Sequence, residues 1–511
     1  MSRRTYRTIT TGSGHKAVQI VERDDGKTIV HQHLGTAHDD EELARLHTQA
    51  LRILLAERED EFLPCFTDPE PDGEPLHATH VRSYSSVLWD ALAGVYDRLG
   101  FDTATENDRV FKQLVVARVI EPTSKLDTIR VLADLGLPAP SNTGIHRCLK
   151  RAIERDYRGT LATQCTASRS DEALTLVLYD VTTLFFHIDR EDDFRIPGFS
   201  KERRLEPQIV IGLLVDKHGF PLQVDSFEGN TAETHTIRPV LEKFREQHPG
   251  TNITVVADAA MLSGPNTGAL EDAGFGFIVG SRITKTPYEI AEYSNTGNDF
   301  VDGQIFDVKV MLPGPARQRV ERRVVYQYRA KRARMDVKNI DTQVAKATAI
   351  VEKKKPLKKS RFVVIGEDTE VTVDEEGIAA ARARAGIKGY VTNLYDVDPQ
   401  FIIDAYHQLF NVEASFRMSK SDLRARPIHH QLREKIDAHL TIVFAALAIS
   451  RRVQETTGMS IRKFLTTIEP LRTAIVRVDG KEHIALPEIP AEQQAMLDKI
   501  RNPNNPETPK Y

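Results

Sequence analysis

Two aspartates directly follow short runs of apolar residues. Asp180 comes after residues 174–179, and Asp258 comes after residues 253–257. Each run predicts a strand that is buried on both faces of a sheet. A carboxylate at the end of such a strand is held rigidly and still reaches solvent, which suits a hard divalent cation. A single aspartate of this kind more often caps the next element, whereas two in one sheet strengthen the case for a metal site without deciding it.

A third carboxylate, Glu413, lies in a segment with helical periodicity. A step of seven residues turns an α-helix by about 700°, which is about 20° short of two turns. Tyr406, Glu413 and Lys420 are therefore predicted on one face, with Arg417 beside Glu413. An ordinary surface charge pattern explains the same spacing. The apolar residues of the other faces are predicted to pack on a core: Leu409, Phe410, Val412 and Phe416.

Basic residues are concentrated in one segment of an otherwise acidic chain. The whole chain holds 69 Lys and Arg against 73 Asp and Glu, a net charge of −4. Residues 317–361 hold sixteen Lys and Arg against four Asp and Glu, a net charge of +12, so the rest sums to −16. Such a cluster attracts polyanions. Apolar residues around Arg322 and Arg323 predict a strand with one basic face, and a cluster of lysines follows: Lys353, Lys354 and Lys355. The alternative for the lysines is a solvated loop.

The elements that must position these residues form an α/β pattern. The periodicity changes from strand-like to helical and back along the chain. The first 75 residues predict a β-hairpin, a helix after Asp40 and an acidic linker. The predicted segments are 1–75 with the hairpin, 76–170 helical, 171–283 rich in strands, 284–390 basic and β-rich, 391–480 helical with Glu413, and 481–511 as a tail.

Composition excludes several classes of protein. The 511 residues are 40% hydrophobic and 28% charged, which is typical of a globular chain and excludes a disordered one. Three distant cysteines, Cys65, Cys148 and Cys165, make no disulfide scaffold and indicate a reducing compartment. The most apolar stretch, residues 440–449, is about half of what spans a bilayer. With no signal-peptide pattern at the start, we expect a cytoplasmic protein without a membrane partner.

The order Asp, Asp, Glu, with a basic segment before the Glu helix, resembles the DDE transposases of bacterial insertion sequences. The likeness is to the insertion sequence 4 superfamily, in particular its insertion sequence 1634 group, and runs from about residue 15 to 480. It is densest at residues 179–186, 198–201, 229–231, 257–261 and 406–420.

The last of these segments matches the signature Tyr-x2-Arg-x3-Glu-x6-Lys of that superfamily at Tyr406, Glu413 and Lys420. Leu409 stands where the signature has Arg, and Arg417 could supply that guanidinium from the adjacent turn. Ala260 stands where the family has Gly after the second Asp. Neither change touches a carboxylate.

The resemblance implies an α/β fold with an RNase H-like catalytic core, interrupted by the basic β-rich insertion. It implies that Asp180, Asp258 and Glu413 are catalytic and bind two Mg²⁺ ions, with Mn²⁺ able to replace them. It also implies a reaction in two steps. Water first nicks DNA at the element end, and the freed 3′-hydroxyl then attacks target DNA.

The resemblance implies DNA as the partner, both at the terminal inverted repeats and at the target. Tyr406, Arg417 and Lys420 are expected to contact DNA near the site. The helical segment 76–170 is expected to bind the element ends, and a homodimer is expected to hold two ends together. The basic segment adds phosphate contacts through Arg322, Arg323, Lys353, Lys354 and Lys355. The bound protein would lie on the nucleoid.

Two other interpretations remain open from the sequence. One is an RNase H-like nuclease without transposition activity, which would share the three acids but needs no large basic segment. The other is a catalytically defective or domesticated DNA-binding protein, which Leu409 favours slightly and the three intact acids disfavour. A zinc enzyme is disfavoured because His31, His33 and His38 match no zinc-ligand spacing.

Overall fold

The structure is a computed structural model, and it falls into two compact units. One unit holds residues 1–78 and 478–480, and the other holds residues 79–477 and 481–511. The described residues are 4–11, 15–24, 27–37, 42–43, 46, 49–50, 78–186, 191–198, 206–247, 252–259, 264–281, 283, 285–314, 318–354, 356, 360–365, 371–426, 428, 430, 432–478 and 480–502.

The first unit contains a three-stranded antiparallel sheet. Its strands are β1 (Arg4–Thr10), β2 (Lys16–Asp24) and β3 (Lys27–Ala37), with β2 in the middle. β2 and β3 pair along the segment for which the sequence predicts a hairpin. Most of the helix predicted after Asp40, and the whole acidic linker 58–75, lie outside the described residues.

The second unit is built on a mixed sheet of eight strands. Its strands and those of two small sheets are β4 (Ala78–Tyr84), β5 (Leu176–Phe185), β6 (Gln208–Asp216), β7 (Pro221–Glu228), β8 (Thr254–Ala257), β9 (Gly276–Ser281), β10 (Ile305–Pro313), β11 (Arg319–Tyr328), β12 (Val363–Ile365), β13 (Val371–Val373), β14 (Ile387–Thr392), β15 (Thr473–Val478) and β16 (Lys481–Ala485). The large sheet has the order β10-β11-β14-β9-β8-β5-β6-β7. β12 pairs with β13, and β15 lies between β16 and β4.

Helices surround this sheet. In the described part of the second unit they are α1 (Ser86–Arg98), α2 (Phe101–Ala104), α3 (Arg109–Ile120), α4 (Thr128–Asp134), α5 (Asn142–Glu154), α6 (Tyr157–Ala167), α7 (Asp171–Leu174), α8 (Glu233–Gln247), α9 (Gly264–Asp272), α10 (Tyr288–Asn295), α11 (Ala330–Val351), α12 (Glu375–Ala383), α13 (Pro399–His407), α14 (Phe410–Arg417), α15 (Arg433–Thr457), α16 (Ile461–Ile468) and α17 (Ala491–Arg501). A π-helical segment, Met418–Asp422, follows α14 directly.

The long helix α15 lies inside the second unit. Its apolar stretch, residues 440–449, is buried on every face, and α3 and α5 pack against it. This burial explains an apolar run that is too short to span a bilayer. Within the described residues, no helix is long and apolar enough to cross a membrane.

The register of two parallel strands brings the two aspartates level. β5 and β8 pair with Leu178 opposite Val256, so Asp180 and Asp258 each lie two residues beyond that pair. The prediction that Asp180 ends its strand was wrong. β5 continues to Phe185 because its other edge stays paired with β6 as far as Gln208.

The segment 284–390, predicted as a basic β-rich insertion, is partly continuous with the central sheet. β10, β11 and β14 extend the central sheet, since β14 pairs with the edge of β9 and β11 pairs with β14. Between β11 and β14 the chain forms the 22-residue helix α11, the short pair β12 and β13, and α12. This part of the segment is therefore more helical than predicted, with its helices outside the sheet.

Tyr406, Glu413 and Lys420 do not lie on one continuous helix. Tyr406 belongs to α13, Glu413 to α14 and Lys420 to the π-helical segment. The break lies at residues 408–409, where Leu409 N donates to Tyr406 O at 3.1 Å and Asn411 N donates to Gln408 O at 2.8 Å. These bonds span three residues, which tightens the chain into a turn and interrupts the regular helix there.

Candidate active site

Asp180, Asp258 and Glu413 line one cavity of about 280 Å³, which we call the carboxylate cavity. Asp180 comes from the middle of β5, Asp258 follows β8, and Glu413 comes from α14. Asp180 is half-buried, while Asp258 and Glu413 are exposed. The remaining lining residues are Lys388, Tyr406, His407, Leu409, Phe410 and Val412.

Asp258 is oriented by two hydrogen bonds to the same oxygen. Its Oδ1 accepts from the backbone N–H of Ala259 at 2.7 Å and from the hydroxyl of Tyr406 at 3.1 Å. Burial and the nearby Asp258 carboxylate raise the pKa of Tyr406. The hydroxyl therefore stays protonated and acts as the hydrogen-bond donor to Asp258. Gly280 leaves room for this hydroxyl, because a Cβ there would lie 2.7 Å from it.

The side chain of Tyr406, which is predicted to contact DNA, is largely enclosed by the protein. Its side chain is only 6% exposed, and its ring packs against Tyr390 with a centroid separation of 4.9 Å. A ring enclosed in this way cannot stack on DNA. Its contact with Asp258 makes it a positioning residue for that carboxylate.

The position of Glu413 is fixed by hydrogen bonds from the opposite face of α14. Asn411 Nδ2 donates to Lys217 O at 2.7 Å, and Ser415 Oγ donates to Gly219 O at 2.7 Å. These bonds tie the helix to the turn between β6 and β7. Val412 is buried as predicted, whereas Phe410 is 63% exposed and lines the carboxylate cavity.

The two cations predicted beside Glu413 have different surroundings. Lys420 donates to the hydroxyl of Thr182, which lies two residues beyond Asp180 on the same face of β5. Arg417 is exposed at the end of α14. Lys420 is thus attached to the strand that carries a candidate catalytic residue, and Arg417 faces solvent.

Lys388 is a site residue that the sequence reasoning missed. It lines the carboxylate cavity from β14, with its Nζ 4.2 Å from the centre of the Tyr406 ring. Burial and the neighbouring Arg332 lower the pKa of Lys388, while Asp258 and Glu413 oppose that change. A lone lysine in the otherwise uncharged strand-like run 387–392 was the available signal.

The donor set of the carboxylate cavity fits Mg²⁺. All three candidate ligands supply carboxylate oxygens, the donors that this ion prefers. Among the residues that the structure describes, no three His, Cys, Asp or Glu side chains lie close enough together to hold an ion as they stand. The fit therefore rests on the shared cavity and on the chemistry of the three acids.

Arg322 and Arg323, predicted to contact DNA, are internal. Each is 6% exposed in β11, which lies inside the sheet. Arg322 Nη2 donates to Glu271 Oε2 at 2.5 Å, and Arg323 donates to both oxygens of Asp307 at 2.9 and 2.8 Å. The prediction of a basic strand face was wrong because this strand is covered on both faces and its charges are paired within the protein.

The lysine cluster begins at the end of α11. Lys353 and Lys354 are exposed, and Lys354 Nζ lies 2.7 Å from Glu352 Oε2. Lys355 lies outside the described residues. The two described lysines therefore remain accessible to a polyanion.

A family model described as the transposase DDE domain matches residues 173–449, more than half of the chain. The chain belongs to the DDE transposase family. The match spans all three residues that line the carboxylate cavity, Asp180, Asp258 and Glu413.

Among solved structures, this DDE transposase is similar to the cryo-EM structure of a piggyBac transposase synaptic complex with hairpin DNA. The similarity covers 85% of this chain and 89% of that chain, with 10% sequence identity and a TM-score of 0.39. No curated protein matches the sequence.

Proposed function

We propose that this DDE transposase acts for a bacterial insertion sequence of the insertion sequence 4 superfamily, insertion sequence 1634 group. It would cleave DNA at the ends of its element and transfer the freed strand into target DNA. The observation that carries the proposal is the meeting of Asp180, Asp258 and Glu413 in one cavity. All three lie inside the region that matches the family.

We infer an RNase H-like core for this activity. Strands β5, β6 and β7 form an antiparallel meander, and β8 and β9 follow on the other side of β5, parallel to it. The order β7-β6-β5-β8-β9, with a carboxylate on the central strand and another beyond its neighbour, supports this assignment.

Asp180, Asp258 and Glu413 would hold two Mg²⁺ ions, with Mn²⁺ able to replace them. When bound, such ions supply Lewis-acid stabilisation of charge on the attacking and leaving oxygens of a phosphodiester. The chain itself supplies orientation. Tyr406 and the Ala259 N–H fix the rotation of the Asp258 carboxylate, and the tie between Ser415 and Gly219 fixes α14.

The cations near the acids would bind DNA phosphates. Lys388 and Lys420 lie beside the carboxylates, and Arg417 faces solvent one turn after Glu413. Water, and then the freed 3′-hydroxyl, would act as nucleophiles, so the reaction needs no covalent bond between DNA and the protein.

Recognition of the element ends would belong to the helical segment 76–170, with Lys353, Lys354 and Lys355 adding phosphate contacts. A homodimer would hold two ends together during the reaction. Both assignments follow from the resemblance to the insertion sequence family.

The test uses DNA from the flanks of the protein's own gene, labelled at one end, with Mg²⁺. Wild-type protein is compared with Glu413→Gln and with Glu434→Gln, a matched change at an exposed position of α15. We expect specific nicks near the flank ends with wild type and Glu434→Gln only, and equal DNA binding by all three proteins.

Other results would change the assignment. Binding without cleavage by any of the proteins would support a defective or domesticated DNA-binding protein. Cleavage without strand transfer into added target DNA would support a nuclease. Cleavage by Glu413→Gln at the wild-type rate would remove Glu413 from the site.

A further inference from the structure

A second cavity, of about 500 Å³, adjoins the carboxylate cavity. We call it the basic cavity, because four cations line it: Arg332, Arg361, Arg384 and Lys388. The carboxylates in its lining are Asp258 and Asp336. The two cavities share Asp258, Lys388 and Tyr406, so one begins where the other ends.

The walls of the basic cavity are fixed by the fold. Asp336 on α11 accepts from Gly386 N at 3.1 Å, which joins the helix to the start of β14. The same carboxylate lies 3.4 Å from Arg332 Nε and so orients that guanidinium. Arg361 lies over the buried ring of Phe362, 5.0 Å from its centre. The cations are therefore anchored on folded elements.

The size and charge of this cavity select its ligand. Its volume falls in the range of about 300–1,000 Å³ that holds small ligands, and a DNA duplex is too wide for it. A positively charged groove that follows a backbone is the usual site for a single strand of nucleic acid. Four cations against two carboxylates give the lining an excess of positive charge.

We propose that the basic cavity binds the sugar–phosphate backbone of a single DNA strand that runs on from the carboxylate cavity. The identity of the strand as DNA rests on the proposed function. Arg332 and Arg384 would bind successive phosphates, and Lys388 would lie where the strand passes between the cavities. The proposed ligand is a chain of phosphodiesters. A free nucleotide differs from it because its phosphate groups are attached at one position of a single sugar.

Two pairs of arginines provide matched variants. Arg332 lines the basic cavity. Arg334 lies two residues further along α11, is exposed like Arg332, and lines a different cavity with Tyr328 and Lys338. Arg384 lines the basic cavity, whereas Arg382 on α12 pairs with Asp341 at 2.9 Å. Each arginine is changed to glutamine in the full-length protein.

The experiment measures binding of a fluorescent single strand of about 20 nucleotides by anisotropy, at salt concentrations from about 50 to 200 mM. Removing one phosphate contact should lower the slope of log affinity against log salt by about 0.7 for a single strand. We expect this change for Arg332→Gln and for Arg384→Gln. Arg334→Gln and Arg382→Gln should keep the wild-type slope.

Three results would overturn the inference. The first is an identical slope of log affinity against log salt for all four variants, whether that slope is lower than that of wild type or equal to it. The second is an equal decrease of the slope when a blunt duplex replaces the single strand. That result would indicate general electrostatic attraction of DNA instead of a strand bound in the cavity. The third is displacement of the oligonucleotide by an equimolar amount of dATP, which would assign the cavity to a free nucleotide.

Cleavage of flank DNA is measured with the same preparations. The proposed function and the assignment of the basic cavity can therefore be contradicted independently of each other. A protein that cleaves flank DNA but shows no difference within the matched pairs overturns only the cavity assignment. A protein that shows the slope differences but cleaves no flank DNA overturns only the proposed function. Thermal unfolding of each variant identifies any loss that comes from misfolding.

Discussion

Asp258 is the carboxylate whose orientation is best defined at the level of single residues. It is exposed, yet its Oδ1 is held by a backbone N–H and by the Tyr406 hydroxyl. Hydrogen-bonding groups that orient a metal ligand fix its direction and raise its basicity, so their loss typically weakens metal binding or activity. We therefore expect Tyr406 to affect activity through its hydrogen bond to Asp258.

Tyr406→Phe removes one hydroxyl and keeps the ring that packs on Tyr390. We expect cleavage of flank DNA to fall by about 10–100-fold, the usual effect of losing a group that orients a metal ligand. Affinity for DNA should stay unchanged. Tyr288→Phe, at a residue that is 73% exposed, is the control and should cleave normally. A weaker affinity with normal cleavage would instead support the DNA contact.

Arg323 carries a charge that the fold uses internally. Besides Asp307, it donates to the carbonyl oxygens of Leu394 and Val397, each at 2.8 Å. Arg323→Met should lower the free energy of unfolding by about 2–3 kcal/mol in urea titrations, because Asp307 and these carbonyl oxygens lose a buried donor. Lys353→Met, at an exposed position, should change it by less than about 0.5 kcal/mol. Equal stability of the two variants would contradict the internal role.

At the level of elements, the position of Glu413 depends on the turn between β6 and β7. Asp216 Oδ1 accepts from His218 N and Phe220 N, both at 2.9 Å, and Gly219 adopts φ +85°. A positive φ of this size suits glycine. The turn then presents the carbonyl oxygen of Gly219 to Ser415, which fixes α14 against the sheet.

Ser415→Ala tests this connection between elements. Ser415 is fully buried, and its Oγ also accepts from Arg451 Nε at 3.0 Å. We expect a loss of about 1–3 kcal/mol in the free energy of unfolding, because the buried guanidinium of Arg451 loses an acceptor. Cleavage should fall further than stability alone explains, since α14 carries Glu413.

Ser421→Ala is the control for this change. Ser421 is exposed, and its Oγ donates to Arg417 O at 2.6 Å within the same helical segment. It should unfold and cleave like wild type. If both serine variants cleave normally in the assay of flank DNA, the turn between β6 and β7 does not position Glu413.

At the level of the whole molecule, positive charge is also enclosed at a place that does not line the carboxylate cavity. Lys125, between α3 and α4, contacts His430, and the ring of His439 lies 5.9 Å from that of His430. Burial, Arg118 and Lys435 lower the pKa of Lys125 to about 7. Burial also lowers the pKa of His439 well below its usual value.

These shifts make stability depend on pH in a defined direction. The folded protein releases the proton of Lys125 near pH 7, while the unfolded chain keeps it to about pH 10.5. Between these values the unfolded state holds more protons, so the free energy of unfolding rises with pH. Below about pH 7 Lys125 is charged in both the folded and the unfolded state. The free-energy cost of burying its charge is therefore largest there.

Lys125→Met should reduce the increase of the free energy of unfolding with pH. We expect the variant to be more stable than wild type by about 2–4 kcal/mol at pH 6, with the difference shrinking toward pH 10. The measurement is urea unfolding at a series of pH values, with Lys150→Met as the control at an exposed position. A difference that is constant with pH would contradict the lowered pKa.

The sequence by itself determined the types and order of the candidate catalytic residues, because local patterns carry that information. Apolar runs predict buried strands before Asp180 and Asp258, and helical periodicity surrounds Glu413. The resemblance to DDE transposases rests on the same short segments, and the family match confirms it at the level of the family. These features depend on neighbours along the chain, which a single sequence displays.

Only the tertiary structure decided which distant residues meet. The register of β5 and β8 makes Asp180 level with Asp258, and the pairing of β14 with β9 brings Lys388 to the same cavity. The same sheet buries Arg322 and Arg323, whose local pattern predicts a surface. Strand order and pairing depend on contacts between residues far apart in the chain, and periodicity within one segment does not encode them.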